Sequence, residues 1–388
     1  MLWYGVICVN NKNKILTIVL IILIIGFVVE KINVNKTDVY EEQNKSSIKK
    51  NKNTLSMNLE QTAGAGDYKT VTQSEWPTEG YVFNEELFRC ENGSEISWDD
   101  TKKAVIVSGN LSDKCYVYFD IYQPTLAEYI KSQYTGNQGD NALYYHNSTL
   151  TNGAGDNSYR YAGASDSVNN YICLGSDAAT CPDANLFRII GVFGNQTKVI
   201  RAKSVGYQQW HTSADNTWSS SSLNAYLNGT YLTSLGTIAE KIATTTWKVG
   251  GGSGSNISAS VPKTAYKNEV GSSASTTIID KKIGLMYVSD YGFAASPSAW
   301  TKILGDYDGT DANGTSIKTI NWMYMGYNEW TISRNSDYTS YAFNVNRTGY
   351  VGNYLVSNSF AVRPSFNLLS STTYVSGSGS MSDPVRVN

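Results

Sequence analysis

The stretch that decides the fold runs from Glu329 to Leu368, E-W-T-I-S-R-N-S-D-Y-T-S-Y-A-F-N-V-N-R-T-G-Y-V-G-N-Y-L-V-S-N-S-F-A-V-R-P-S-F-N-L. Trp330 to Arg334 alternates apolar and polar residues. Tyr341, Phe343 and Val345 then alternate with Ala342, Asn344 and Asn346, the period-two pattern of a half-buried strand. Arg347-Thr348-Gly349 supplies a turn and Tyr350-Val351 resumes a strand, so this part reads as a hairpin. Phe360-Ala361-Val362 forms a last strand and stops at Arg363-Pro364, where proline removes a ladder donor. Antiparallel strands this late in the chain need an earlier partner layer.

Candidate partners lie upstream. Leu186–Phe193 and Thr197–Ala202 are rich in β-branched residues and joined by Gly194-Asn195-Gln196, which predicts a hairpin. Ser219 or Ser220 can cap a helix carrying Leu223, Tyr226 and Leu227. A second helix is expected over Ile238–Ile242. A strand over Lys282–Val288 precedes a short helix or turn at Ser289-Asp290-Tyr291. Gly250–Ser260 is a Gly/Ser loop without the Lys-Ser/Thr of a phosphate cradle.

The segments W-T-I-S-R, A-F-N-V, G-Y-V and F-A-V-R-P-S-F-N-L resemble the C-terminal half of bacterial domains with the C-type-lectin-like fold, and T-W-S-S-S-S-L-N-A-Y-L-N at 217–228 resembles the helical element preceding it. That group includes formylglycine-generating enzymes and retroelement-diversified receptor proteins. The resemblance covers roughly residues 160–388. It implies an α+β, mainly antiparallel β domain with short helices, and leaves activity open because fold does not fix function. It also implies a binding face in the long loop region before the final strands, here about Tyr291 to Trp330. The candidate binding residues there are Trp300, Asp306, Tyr307, Asp308, Asp311, Asn313 and Tyr324: rings to stack on a sugar or anchor a protein, carboxylates and amides to orient hydroxyls. Trp300 and Tyr307, beside Pro297 and loop glycines, are the expected exposed pair, whereas Trp322 and Trp330 are expected in the core. Arg363 is expected to be structural, satisfying carbonyls or a carboxylate.

Composition narrows the function classes. The 388 residues carry 31 Lys and Arg against 33 Asp and Glu, a formal net charge of −2, so no bulk charge attracts nucleic acid. Tyrosine is heavily used (28), with 9 Trp and abundant Ser, Thr, Asn and Gly, which suits an uncharged extracellular β-rich protein. Ile15–Val29 is an uninterrupted apolar run that Ile32 and Val34 can extend. At 1.5 Å per residue it covers roughly 22 Å against a hydrocarbon core of roughly 30 Å. No small-x-small cleavage site follows, so an uncleaved signal anchor is expected over 15–34, with residues 1–14 cytosolic and the remainder outside the cell membrane.

Beyond the anchor, residues 35–75 are polar and lysine-rich and read as a disordered stalk. Residues 76–122 carry short apolar-alternating runs and read as a small β module. Residues 123–165 read as a connector with a helix capped by Thr125 and Glu128. Residues 166–388 form the lectin-like domain. Cys90, Cys115, Cys173 and Cys181 lie past the anchor as two local pairs, which predicts the disulfides Cys90–Cys115 and Cys173–Cys181, with Cys8 free. A structural zinc site has poor spacing and no adjacent histidine.

Catalytic chemistry finds little footing. His146 and His211 are the two histidines, both in polar surroundings that suggest loop side chains. Formylglycine-generating enzymes use cysteines late in their fold, and none follows Cys181 here. No cofactor is expected; the acidic and amide oxygens of the loop Gly305–Gly314 fail the EF-hand template and read as a solvated acidic turn, with a loop calcium site as the alternative. The reading is a membrane-anchored extracellular binding or adhesion protein for a glycan or protein ligand, not an enzyme. The rivals are a degenerate formylglycine-generating-type enzyme and a structural subunit of an envelope fibre.

Overall fold

The structure is a computed structural model and describes residues 6–11, 14–19, 54–72, 77, 79–109, 113–249, 257–270 and 278–388. The chain divides into two units, Met1–Gln123 and Pro124–Asn388. In the first, β1 (Val6–Asn11) and β2 (Lys14–Val19) form an antiparallel pair. The expected anchor therefore begins in a strand, and its residues 20–34 lie outside the described residues. Among the described residues no helix is long and apolar enough to cross a membrane.

The strands of the first unit then run β3 (Thr54–Glu60), β4 (Tyr68–Val71), β5 (Tyr81–Phe83), β6 (Arg89–Cys90), β7 (Glu95–Asp99), β8 (Ala104–Ser108) and β9 (Lys114–Ile121). β3 corrects the stalk expected over 35–75. Leu55, Met57 and Leu59 recur at every second position, and β3 lies parallel to β9, with Met57 and Leu59 buried. The lysine-rich run before Thr54 masked this short strand. β9 is the hub, pairing with β3, β5 and β6, while β7 and β8 make a separate hairpin. Met57, Leu59, Ile96, Val105, Cys115, Val117 and Phe119 form the core. A core this small gains from a staple, and the Cys90–Cys115 disulfide joins directly paired positions of β6 and β9.

The second unit begins at Pro124, so the expected connector 123–165 belongs to it. Helix α1 (Leu126–Ser132) starts at Thr125, whose hydroxyl accepts the Glu128 amide while Glu128 accepts the Thr125 amide, the expected capping box. Strands β10 (Leu143–Tyr145), β11 (Tyr159–Tyr161), β12 (Tyr171–Cys173), β13 (Leu186–Phe193), β14 (Gln196–Arg201) and β15 (Tyr207–Gln209) follow. Helix α2 (Ser222–Tyr226) is capped by Ser221, one residue beyond the expected serines, and a 3₁₀ turn covers Gly236–Lys241. Then come β16 (Thr245–Lys248), helix α3 (Pro262–Glu269), β17 (Ile278–Lys281), β18 (Ile283–Gly284) and helix α4 (Val288–Ala294). The chain ends with β19 (Glu329–Arg334), β20 (Tyr341–Val345), β21 (Val351–Leu355), β22 (Ser359–Ala361), β23 (Ser365–Asn367), β24 (Tyr374–Ser376) and β25 (Val385–Val387).

The fold class is α+β, mostly β with few short helices. One sheet has nine strands in the order β18-β23-β14-β13-β12-β25-β24, with β11 added on β13 and β10 on β11; a second has five in the order β15-β22-β19-β20-β21. The predicted hairpin 186–202 is β13–β14 at the centre of the first sheet, and 329–368 supplies four strands of the second and β23 of the first. Trp210, Trp218, Trp247, Trp322 and Trp330 are all buried in one continuous core. The Cys173–Cys181 disulfide closes the loop after β12. Both disulfides are the expected pairs.

Candidate functional site

The loop region 291–330 does not present the expected face. Trp300 is fully buried, its indole N–H donating to the Ala295 carbonyl at 2.8 Å, its ring packed against Tyr144, His146 and Phe293. Tyr307 is also fully buried, its hydroxyl donating to the carbonyls of Gly292 and Ala299 at 3.2 Å each. The expected exposed pair is thus corrected. Each ring finds a backbone acceptor for its one polar atom, so the core takes it at little polar cost. Asp311 is buried as well, its Oδ1 accepting the amides of Asn313 and Thr315 at 2.9 and 2.8 Å. It holds the loop turn, and the hydrogen bond from Ser298 and these amides keep its carboxyl below the usual range. Asp306, Asp308 and Asn313 are exposed, and half-buried Tyr324 donates to the Arg347 carbonyl at 2.7 Å. The seven candidates are scattered between core, turn and solvent. Trp322 and Trp330 are core, as expected.

Most charge in the interior of this unit is spent on pairing. Arg363 is buried and grips Glu329 in a bidentate pair, Nε to Oε1 at 2.6 Å and Nη2 to Oε2 at 2.9 Å, with Nη2 also reaching the Met323 carbonyl. It is the structural arginine expected. Arg188 lies between the rings of Tyr171 and Trp322, with Nε donating to Asn170 at 2.6 Å. Burial brings its guanidinium down to about 10. A third cluster links strand and helix: Lys198 on β14 donates to Asp290 on α4 at 2.5 Å, and Arg160 on β11 stands 3.6 Å from Asp290 and 2.6 Å from Asp156. Glu269, at the end of α3, accepts the amides of Val288 and Ser289 at 2.9 Å each and contacts the Ser333 hydroxyl. Burial pushes its carboxyl up to about 7, and Asp290 adds to the rise. These clusters have perturbed groups, which often mark active sites. However, they sit inside the core and satisfy backbone amides, the work of structural networks.

The histidines follow the same pattern. His146 is fully buried, its Nδ1 accepting the Ala154 amide at 3.0 Å, and burial holds its pKa well below the usual value. His211 is buried too, its Nδ1 accepting the Ser213 amide at 3.3 Å. Neither is the solvent-side loop residue that the polar sequence suggested. Among the described residues, one set of three potential metal-ligand residues converges, Cys90, Asp113 and Cys115. Its two sulfurs are consumed in the disulfide, so its donor set does not suit an ion.

A surface concavity lies elsewhere, at the β15 edge of the five-stranded sheet. A groove of about 220 Å³ is lined by Tyr207, Gln208, Gln209, Thr212, Ser222 and Ser359. Tyr207 is 61% exposed. Its floor is pinned from below, where the buried Trp330 indole donates to the Gln208 carbonyl at 3.0 Å. The wall is held by Gln209, which donates to the Ser357 carbonyl at 2.7 Å, and by Ser222, which accepts the Thr212 amide at 3.1 Å. The lining is neutral: one free aromatic face, two amides and three hydroxyls. Such a site can stack one flat ring and exchange hydrogen bonds with it. Its volume is below the roughly 300–1,000 Å³ of typical small-molecule pockets, so it suits one unit of a larger ligand. The sequence reading missed it. The available signal was Y-Q-Q-W-H-T after Gly206, a polar run around one buried tryptophan, as expected of an edge strand.

Residues 194–370 match the sequence family described as a domain of unknown function, DUF6273. That stretch contains the whole five-stranded sheet, β14, β18 and β23 of the nine-stranded one, and the groove. No curated protein matches the chain, and no solved structure matches it.

Proposed function

We propose that the chain is a membrane-anchored extracellular binding protein whose second unit recognises a glycan or protein ligand at the groove beside β15. The observation that carries this reading is the groove's lining, a widely exposed Tyr207 among neutral amides and hydroxyls. Neutral hydrogen-bonding groups around an aromatic face suit a sugar ring or the polar side chains of a protein surface. Two disulfides accord with an oxidising compartment. The apolar run over 15–34 supplies the anchor in this reading, as the lectin-like resemblance supplies the precedent for a binding unit.

The test is a double substitution, Tyr207→Ala with Gln209→Ala, in the full chain. Wild-type protein is screened against immobilised neutral glycans and against extracellular proteins, and each hit is titrated against the variant. A loss of at least tenfold at unchanged Tm supports the groove, whereas undiminished binding removes it. Protease treatment of intact cells checks the topology, since an ectodomain outside the cell is cleaved and a protected one contradicts the anchor.

A further inference from the structure

One face of the five-stranded sheet holds a polar group that the fold does not use. Asn344, in the middle of β20, is fully buried, and neither its Oδ1 nor its Nδ2 has a hydrogen-bond partner. An asparagine offers one carbonyl acceptor and two N–H donors, and leaving these unpaired in the interior costs about 1–3 kcal/mol per group. The surroundings are aromatic. Asn344 stands opposite Trp330 on β19 and opposite Gly352 on β21, so all three share one face. Phe360 extends that face, 4.6 Å from the Trp330 ring and 5.4 Å from Tyr354, measured between ring centroids.

Gly352 makes room there. A Cβ on it would stand 2.9 Å from Tyr350 Cε2 and 3.7 Å from Asn344 Oδ1. The Tyr350 ring thus lies against the glycine and helps to close the carboxamide off from solvent. Tyr350 is half-buried and Tyr354 is 37% exposed, so the cover consists of two side chains at the edge of the sheet. Single side chains of this kind change rotamer on the ps–ns scale when exposed.

We propose that this face is a saccharide-binding site, with the Asn344 carboxamide as its hydrogen-bonding centre, Trp330 and Phe360 as its walls and Tyr350 with Tyr354 as a movable aromatic cover. The inference rests on the reading of this unit as a binding module and names its ligand class. Two neighbouring hydroxyls of a pyranose match the carboxamide, one donating to Oδ1 and the other accepting from Nδ2. The apolar face of the same ring stacks on the aromatics. These five residues carry no charge, and burying an unpaired ionic group among them would be prohibitive, so the ligand is neutral. A peptide joining the sheet would use the free edge of β21 and would leave the carboxamide unpaired.

The experiment titrates the full chain with cellotetraose, maltotetraose, mannotriose and chitotriose, following tryptophan fluorescence and heat. At least one binds saturably. Asn344→Leu weakens that binding at least tenfold while Tm stays level or rises, because an apolar isostere removes unpaired groups at little cost in volume. Tyr354→Ala, an exposed change that leaves the fold intact, weakens it about fivefold. The proposal is overturned if none of the four binds at millimolar concentration, if Asn344→Leu binds as wild type does, or if it lowers Tm by several degrees. Binding lost in the Tyr207/Gln209 variant but kept in Asn344→Leu leaves the groove as the site and removes this face.

Discussion

Glu269 shows how far a residue's chemistry departs from its local sequence. It sits in K-N-E-V at the end of a polar helix, where nothing marks it as buried. Its carboxyl is pushed up to about 7 from an ordinary value of 4.5 because burial penalises the charge, although two backbone amides and the Ser333 hydroxyl favour it. The raised value means that the folded protein holds this proton more tightly than the unfolded chain does. Its contribution to stability is full below pH 4.5 and is lost as pH rises through about 7. At 1.36 kcal/mol per unit, the loss is roughly 3 kcal/mol. Glu269→Gln removes the titration. The difference in unfolding free energy between wild type and variant should therefore change across this window and be flat on both sides. Chemical denaturation at half-unit pH intervals measures it, and a constant difference would show that folding does not raise the Glu269 pKa. Asp290 adds to the rise of this carboxyl, and the charge of Glu269 in turn favours the protonated forms of Tyr287 and Lys198.

At the scale of elements, alternation located strands and packing decided what they carried. β13 and β14 were legible from their β-branched runs and the turn at Gly194-Asn195-Gln196, and β19 and β20 from the alternation of apolar and polar residues. β3 was not, since Leu55, Met57 and Leu59 follow a lysine-rich run and gain their partner from β9, some sixty residues on. β10 and β11 were hidden in a Gly/Asn/Tyr-rich stretch, and their pairing depends on an irregularity in β13. The register shifts between Ile189 and Gly191 there, and a Cβ on Gly191 would stand 2.1 Å from the Tyr159 carbonyl oxygen. Only glycine allows β11 to approach. Gly191→Ala should push β11 away, loosen the Arg160 pairs with Asp156 and Asp290, and lower stability by 2 kcal/mol or more, by about the cost of a disrupted core contact. Thermal unfolding measures the shift. An unchanged Tm would mean that β11 contributes nothing to the sheet.

For the whole molecule, the two units differ in how they are secured. The first has a core of seven residues with Cys115 among them, and the second buries five tryptophans in a single large core. Closing the 25-residue separation of Cys90 and Cys115 is worth roughly 3.5 kcal/mol on the chain-entropy model, and the separation of 8 between Cys173 and Cys181 roughly 2.5. Stability of a small domain is of the same order as the first figure. Reduction should therefore unfold the first unit near room temperature while the second keeps a cooperative transition at a modestly lower temperature. Calorimetry with and without reductant distinguishes the two. Loss of both transitions together would show that the second unit also depends on its bridge.

The sequence by itself determined the disulfide pairs, the α1 capping box, the β13–β14 hairpin and the run of strands after Glu329. These are local: each follows from residues within about thirty positions of one another, so spacing and period suffice. Tertiary structure alone decided which aromatics face solvent. Trp300 and Tyr307 were buried because carbonyls of Ala295, Gly292 and Ala299 came within reach of their polar atoms. Tyr207 was left at an edge because the five-stranded sheet ends there. Whether a ring is core or surface depends on what stands opposite it, and the opposite residue is set by contacts far apart in the chain.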